Sequence, residues 1–282
     1  MKSVRVKPVP ARAGTAGKLP VLGTNGYPLQ DGAVYGPIHS RRLGFSLGIN
    51  PLPVTYKLCD FDCVYCQYGW TPGPDNEARK TSERLKSLPI LLSEIEKSFQ
   101  AFLRDGVRID VMTIAGNGEP TLYPQFLDFT KGLLDLRDRY YPGVRVGILS
   151  DASQCHRPEI KEALELLDER YMKLDGGDME TIRRINKPRG DFDFSRMVEA
   201  LAGLRDVTIQ SLFVQGSFDN TRPAQIEAWG GIVKRIMPKA VQVYTVDRPP
   251  ADSGVKPVPV EVLEHIANQC SQATGIPTEV FD

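Results

Sequence analysis

The chain lacks the features that would place it in several common protein classes. Its 282 residues include only five cysteines, three histidines and two tryptophans. An odd cysteine number with clustered spacing does not read as the disulfide framework of a secreted domain. A reducing, cytoplasmic setting is therefore expected. No apolar run approaches the roughly 20 residues that a membrane-spanning helix needs, and the N-terminus has no apolar signal-peptide core. Neither sign of charge is in excess: Lys plus Arg and Asp plus Glu both number 35. Nothing global then draws the chain to nucleic acid or to a membrane. Internal repeats, low-complexity tracts and interdomain linkers are absent as well. What remains, at 41% hydrophobic and 25% charged residues, is an ordinary globular composition, long enough for one sizeable core.

Three of the five cysteines fall within eight residues, as Cys59-Asp60-Phe61-Asp62-Cys63-Val64-Tyr65-Cys66. Zinc prefers four ligands, and neither a histidine nor a fourth cysteine lies near this triplet. Three thiolates suit a [4Fe–4S] cube differently: they hold three irons and leave the fourth open for an outside ligand. The spacing C-x3-C-x2-C resembles the radical S-adenosylmethionine (radical SAM) superfamily. That resemblance implies that the amino and carboxylate groups of SAM chelate the open iron, and that one electron cleaves SAM to a 5′-deoxyadenosyl radical. The electron would come from an external one-electron donor of the flavodoxin or ferredoxin type.

A second signal is Ile114-Ala115-Gly116-Asn117-Gly118-Glu119-Pro120-Thr121, which follows an apolar strand and precedes a helix. In an α/β barrel this is the mouth where ligand groups are placed. Glycines allow close backbone approach, and a glutamate there can accept a charge-assisted hydrogen bond from a cationic amine. Taken alone, the run is also a turn with a capping acid. Its position about fifty residues after the triplet resembles the superfamily's Gly-Gly-Glu-type motif, which implies that Glu119, with Gly118 and Asn117, holds the methionyl end of SAM. The resemblance further implies that Tyr65, between two ligands, contacts the adenine. Asp175 in the Lys173-Leu174-Asp175 run, and Ser150 and Gln210 at or near other strand ends, would orient the ribose. Each of these could equally be an ordinary polar loop or strand group. Cys155, five residues past Ser150, is a candidate hydrogen-atom donor or, more simply, a small buried hydrophobe.

Apolar runs predict strands at residues 54–57, 108–115, 144–150, 171–174, 207–214 and 240–246. Helical periodicity appears at 84–103, 125–139, 158–169, 195–203 and 224–237, with a short helix starting at 178. This alternation predicts parallel βαβ units. The expected fold is α/β, a partial (β/α)6 radical SAM barrel with an N-terminal extension and a C-terminal helix. The expected divisions are an arm over 1–34, a core over 35–250, and a helix (260–273) and strand-like end (278–281) within 251–282. The basic, glycine- and proline-rich arm reads as extended or frayed. Folding over the cysteine loop, or binding phosphate, are its other readings.

The runs Tyr35 to Asn50 and Val243 to Pro250 resemble uncharacterised radical SAM oxidoreductases related to the wyosine-forming tRNA enzymes. His39, Arg41, Arg42 and Arg248, beside Asp247, form a donor set suited to a small or anionic substrate, since guanidinium forks match carboxylate and phosphate. Alternatively the arginines pair with Asp60, Asp62 or Asp247 to brace the cysteine loop. The wyosine enzymes, as the resemblance implies, carry a second cluster on cysteines upstream of the triplet; no cysteine precedes Cys59 here. Nucleic acid is therefore a possible partner but not the favoured one, and neutral charge weakens it further.

Overall fold

In the computed structural model, which describes residues 20–40, 44–73 and 85–281, the apolar runs assemble into one eight-stranded sheet of order β1-β2-β3-β4-β5-β6-β8-β10. Strands β1 (Val34–Ser40) and β2 (Gly44–Ile49) pair antiparallel. Running parallel to β2 are β3 (Val111–Ile114), β4 (Arg145–Ser150), β5 (Glu169–Lys173), β6 (Val207–Leu212), β8 (Ala240–Tyr244) and β10 (Thr278–Phe281). A separate ribbon joins β7 (Gln215–Gly216) to β9 (Val255–Lys256). Seven helices are described: α1 (Leu88–Arg104), α2 (Phe126–Tyr140), α3 (Pro158–Leu166), α4 (Met179–Ile185), α5 (Phe194–Ala202), α6 (Pro223–Ile236) and α7 (Val260–Thr274). The six parallel strands β2 to β8 form the expected partial barrel, with β1 and β10 as its open edges. None of the described helices is long and apolar enough to cross a membrane.

Side-chain alternation divides the sheet into two unlike faces. Leu47, Ile49, Met112, Ile114, Val146, Ile148, Met172, Ile209, Val241 and Val243 are buried in the core cluster, together with helix residues such as Phe99, Phe129 and Trp229. Ser211 shares that face, accepting from Trp229 Nε1 at 2.9 Å. The opposite face is polar. Ser46 and Thr113 hydroxyls meet at 2.7 Å, Gln210 donates to Gln242 at 2.8 Å, and Lys173 donates to the Tyr244 hydroxyl at 2.9 Å. An apolar core behind the strands and polar groups in front leave the hollow suited to a polar ligand.

Helix limits follow from local chemistry. Helix α1 buries Leu91, Ile95 and Phe99, four residues apart on one stripe. Helix α6 opens on Pro223, whose missing N–H is no loss in a first turn, and ends at Met237 in the left-handed conformation. Helix α7 stops at Gly275, φ 74°, where a side chain would be strained.

One expectation fails here. Residues 54–57 form no strand; the first parallel strand lies earlier, at Gly44–Ile49. Val54, Thr55 and Tyr56 have strand propensity, but Pro51 and Pro53 before them cannot donate to a ladder. The true strand is disguised by Gly44 and Gly48. Gly48 faces Tyr35 across the pair, and a Cβ there would fall 2.1 Å from the Tyr35 ring, so the ring replaces the missing side chain. In the described part of the N-terminal arm, Leu29 and Ala33 are buried, and Asn25 Nδ2 donates to Pro249 O at 3.1 Å. Arg41, Arg42 and residues 1–19 lie outside the described residues. At the other end, β10 adds in parallel to β8.

Candidate active site

The three cysteines sit on the loop that leaves β2, at the C-terminal ends of the parallel strands. This loop is stitched to two neighbours by backbone hydrogen bonds. Leu58 N donates to Asn117 O at 2.8 Å and Glu119 N to Leu58 O at 2.9 Å. On its other edge Asp62 N donates to Asn186 O at 3.0 Å and Val64 N to Ile185 O at 2.9 Å. The first seam explains Gly118. It has φ +141°, and a Cβ there would lie 1.7 Å from Leu58 O, so the glycine serves close approach to the cysteine loop. Gly118→Ala should cost at least about 1–3 kcal/mol of stability, the usual range for a strained backbone site. Urea unfolding of the two proteins measures it; an unchanged midpoint would contradict this seam.

Cys59, Cys63 and Cys66 are free thiols, with Cys63 buried and the others half-buried. Their Sγ atoms do not converge on one point: among the described residues, the group of ligand atoms lying within 4.8 Å of one another is Cys59, Asp60 and Asp151. Such spacing does not suit a single chelated ion, whereas a cube asks each thiolate for a different iron. Burial pushes the Cys63 thiol up to about 12, helped by Asp175. Burial, then Asp151, pushes Cys59 well above the ordinary thiol range. Lys57 lies beneath the loop, 3% exposed. Its ammonium donates to Gly69 O at 2.9 Å and stands 3.8 Å from Asp62. Burial opposes that charge, but Cys66, Cys59, Cys63 and Asp62 outweigh it and raise the pKa.

Two acid-centred networks flank the loop. Glu119 is 2% exposed. Its Oε1 accepts from Thr121 N (3.0 Å), Thr121 Oγ1 (2.6 Å) and Ser150 Oγ (3.0 Å), and its Oε2 from Asp151 N (2.7 Å). It therefore caps the short turn Pro120–Leu122 and ties β3 to β4, leaving acceptor capacity on Oε2. Burial, then Asp60, raises its pKa. On the other side Asp175, 1% exposed, accepts from Leu212 N at 2.8 Å, from Asn186 Nδ2 at 2.7 Å and from the Tyr65 hydroxyl. Lys173 Nζ stands 3.6 Å from Asp175 and 4.9 Å from the Tyr65 ring centre. Asn186 Nδ2 also contacts Cys63 Sγ at 3.4 Å, while Asn186 Oδ1 is buried with no hydrogen-bond partner among the described residues.

The expected site residues divide accordingly. The triplet, Tyr65, Gly118, Glu119, Ser150 and Asp175 are brought together. Ser150 is occupied by Glu119 and by Ala152 N at 3.0 Å. Asn117 spends its whole amide on the N-terminal segment and the loop, bonding Gln30 N, Gln30 O and Pro53 O at 2.8–2.9 Å. Gln210 lies on the polar face, with its amide donating to Gln242. His39 is not brought in: it pairs with Phe45 near the start of β2, at the end of the sheet opposite the cysteines. Arg248 lies on the cysteine end, donating to Gln67 and stacked 5.7 Å from Tyr27. Among the described residues it forms no ion pair with Asp60 or Asp62, of which Asp62 pairs with Lys57 and Arg189 instead, and Asp247 is its chain neighbour. Lys57 and Asn186 were not legible as site residues. One sits in the misread 54–57 segment; the other follows a short helix, with only Pro188 nearby to mark the chain's turn.

Cys155 lies in the apolar core behind the sheet, 1% exposed, and burial pushes its thiol up to about 12. Cys270 is buried within α7. Neither belongs to the front of the sheet.

The chain is similar to known proteins over most of its length. The sequence signature of the radical SAM superfamily matches residues 54–222. Over 238 residues the chain is 31% identical to a UPF0026 protein of Methanocaldococcus jannaschii, covering 82% of this chain and 69% of that protein. It is 29% identical over 253 residues to a protein of Brachyspira hyodysenteriae named GTPase Obg, covering 87% of this chain but only 35% of that much longer one. Among solved structures, a radical SAM methyltransferase from Sphaerobacter thermophilus superposes with TM-score 0.64 at 12% identity, covering 98% of this chain and 76% of that one. TYW1 with a lysine-pyruvate adduct bound superposes with TM-score 0.57 at 12% identity, covering 80% and 73%. At such identities the superpositions show the shared fold.

Proposed function

This chain belongs to the radical SAM superfamily and groups with the UPF0026 proteins, and on that premise we propose that it cleaves SAM reductively to begin hydrogen abstraction from a substrate held in the polar hollow of the sheet. Its cofactors are a [4Fe–4S] cluster and SAM, which together, when bound, supply a 5′-deoxyadenosyl radical and methionine. The observation that carries the reading is the meeting of the cysteine triplet, Glu119 and Asp175 at one end of the strands, each acid fixed by buried hydrogen bonds.

In this reading Cys59, Cys63 and Cys66 hold three irons. The spare capacity on Glu119 Oε2 receives the amino group of SAM. Asp175, Asn186 Oδ1 and, more remotely, Gln210 face its ribose, whose hydroxyls need acceptors. Tyr65 is locked by Asp175 and fixes the loop between two ligands. Lys57 places a buried positive charge under the sulfurs, where thiolates would gather negative charge. The superfamily's need for an external electron donor applies here too. A wyosine-type reaction finds support only in fold likeness at 12% identity, and the buried positions of Cys155 and Cys270 do not supply a second cluster.

Anaerobic reconstitution should load about four irons per chain, and Cys155→Ala and Cys270→Ala should keep them. Iron near eight per chain, or loss of cluster in either variant, would overturn the one-cluster assignment. Arg248 is proposed to contact an anionic part of the substrate from the rim of the site. Arg248→Lys keeps the charge but not the fork, so SAM cleavage without substrate should persist while substrate-dependent turnover falls. Cluster loss in Arg248→Lys would show that it braces the loop instead.

A further inference from the structure

Parallel pairing sets three polar side chains in one row across the front of the sheet. Lys173 on β5 is the register partner of Gln210 on β6, and Gln210 is that of Gln242 on β8. Tyr244 lies two residues along β8 from Gln242 and so shares its face. Asp175, just past the end of β5, stands in the same relation to Lys173. The row therefore lies in the polar hollow one step deeper than the acid assigned to the SAM ribose.

The Lys173 ammonium is fixed in place but underused. It lies 4.9 Å from the ring centre of Tyr65 and 5.2 Å from that of Tyr244, and it donates to the Tyr244 hydroxyl at 2.9 Å. That is one hydrogen bond from a group with three N–H donors, so two are left over among the described residues. Asp175 Oδ1, at 3.6 Å, is too far for a second bond. The Asp175 carboxylate already accepts from Leu212 N, Asn186 Nδ2 and the Tyr65 hydroxyl. Burial opposes the Lys173 charge, but Asp175 and the Tyr244 hydroxyl outweigh it and raise the pKa. Beside it, Gln210 Nε2 donates to Gln242 Oε1 at 2.8 Å, which leaves the Gln242 amide N–H groups without a partner among the described residues. Deeper on the same face of β5, Glu169 is matched by Arg145 and the Tyr171 hydroxyl.

We propose that Lys173, with the Gln242 amide beside it, binds a carboxylate of the substrate, so that this enzyme acts on a small carboxylic acid. The inference rests on the reading that SAM is cleaved at the triplet and that the substrate enters the hollow. Its basis is the supply of hydrogen bonds rather than net charge. A half-buried ammonium and a neighbouring amide, both with N–H groups to spare, match the two oxygens and single charge of a carboxylate. Asp175 has its own donors and does not compete for them. A phosphate dianion would ask for a second cation in the row. Arg145 is spent on Glu169, and Arg248 stands at the rim, where it would meet the other end of the substrate.

The test uses reconstituted full-length protein with SAM bound, titrated calorimetrically with succinate, succinamide and inorganic phosphate. The wild type should bind succinate about tenfold or more tightly than either other probe, the effect of one hydrogen bond to a charged group. Lys173→Gln should lose about tenfold or more in succinate affinity, and a larger factor than it loses for SAM. Gln242→Leu leaves Lys173 and Asp175 untouched and should weaken succinate binding severalfold, so it decides the matter if Lys173→Gln does not fold. Succinate bound no better than succinamide, a preference for phosphate, or succinate affinity unchanged in the folded variants would overturn the carboxylate site alone. Equal losses for SAM and succinate in Lys173→Gln would do the same and place Lys173 with Asp175 in holding SAM. Failure of the wild type to cleave SAM with dithionite would instead remove the underlying reading, and the carboxylate site with it.

Discussion

Cys63→Ala is expected to abolish the cluster and all SAM cleavage while leaving a folded chain. Cys63 is the buried member of the triplet, and its sulfur faces Asn186 Nδ2 at 3.4 Å. Removing the thiol leaves two ligands for a cube that takes a cysteine at each protein-held iron. The fold should survive because the loop is held by backbone bonds on both edges, to Asn117 and Glu119 and to Ile185 and Asn186. Iron analysis, the visible absorption of the reconstituted protein and circular dichroism separate the two effects. Cys59→Ala and Cys66→Ala should behave alike. Retention of about four irons by any of the three variants would take that residue out of the ligand set.

Glu119→Gln should weaken SAM binding by about 1.5–3 kcal/mol, the usual worth of a hydrogen bond to a charged group. Gln keeps the shape but removes the charge that a cationic amine would meet. It also adds an N–H₂ where the carboxylate oxygens are surrounded by four donors, from Thr121, Ser150 and Asp151. Some loss of stability should therefore accompany the loss of affinity. Thr121→Ala removes a donor to Glu119 without touching the charge, so it separates the two effects: it should cost stability and keep most of the affinity. Calorimetric titration of SAM into the reconstituted proteins reads the affinity, and thermal unfolding reads the stability. Unchanged SAM affinity in Glu119→Gln would confine this residue to capping the Pro120 turn.

The sequence made the parallel core legible because its strands are buried behind helices and read as apolar runs. Val111–Ile114, Arg145–Ser150 and Val207–Leu212 fall inside their predicted segments, and the terminal strand Thr278–Phe281 matches its own. The first strand was hidden because Tyr35 supplies packing that Gly48 lacks, a cross-strand substitution invisible along the chain. Site residues carried by spacing, the triplet and Glu119, came together. Those read from strand ends were less secure, since spacing cannot say whether a polar group faces a ligand or a neighbour: Asn117 and Ser150 both spend their hydrogen bonds inside the protein. Asn186 lies 123 residues from Cys63 in sequence, and only the pairing of two loops brings them into contact. His39 was misplaced because its run, though just before the cysteine loop in sequence, folds as a hairpin whose far end lies at the opposite edge of the strands.

SAM turnover by the reduced, cluster-loaded protein is the most direct measurement of the central assignment. Mixed anaerobically with dithionite and SAM, it should form 5′-deoxyadenosine and methionine in equal amounts, and the Cys59→Ala protein should form neither. A protein that holds about four irons and binds SAM, yet yields no 5′-deoxyadenosine above the Cys59→Ala control, would contradict the assignment and leave a cluster that senses redox state without cleaving SAM.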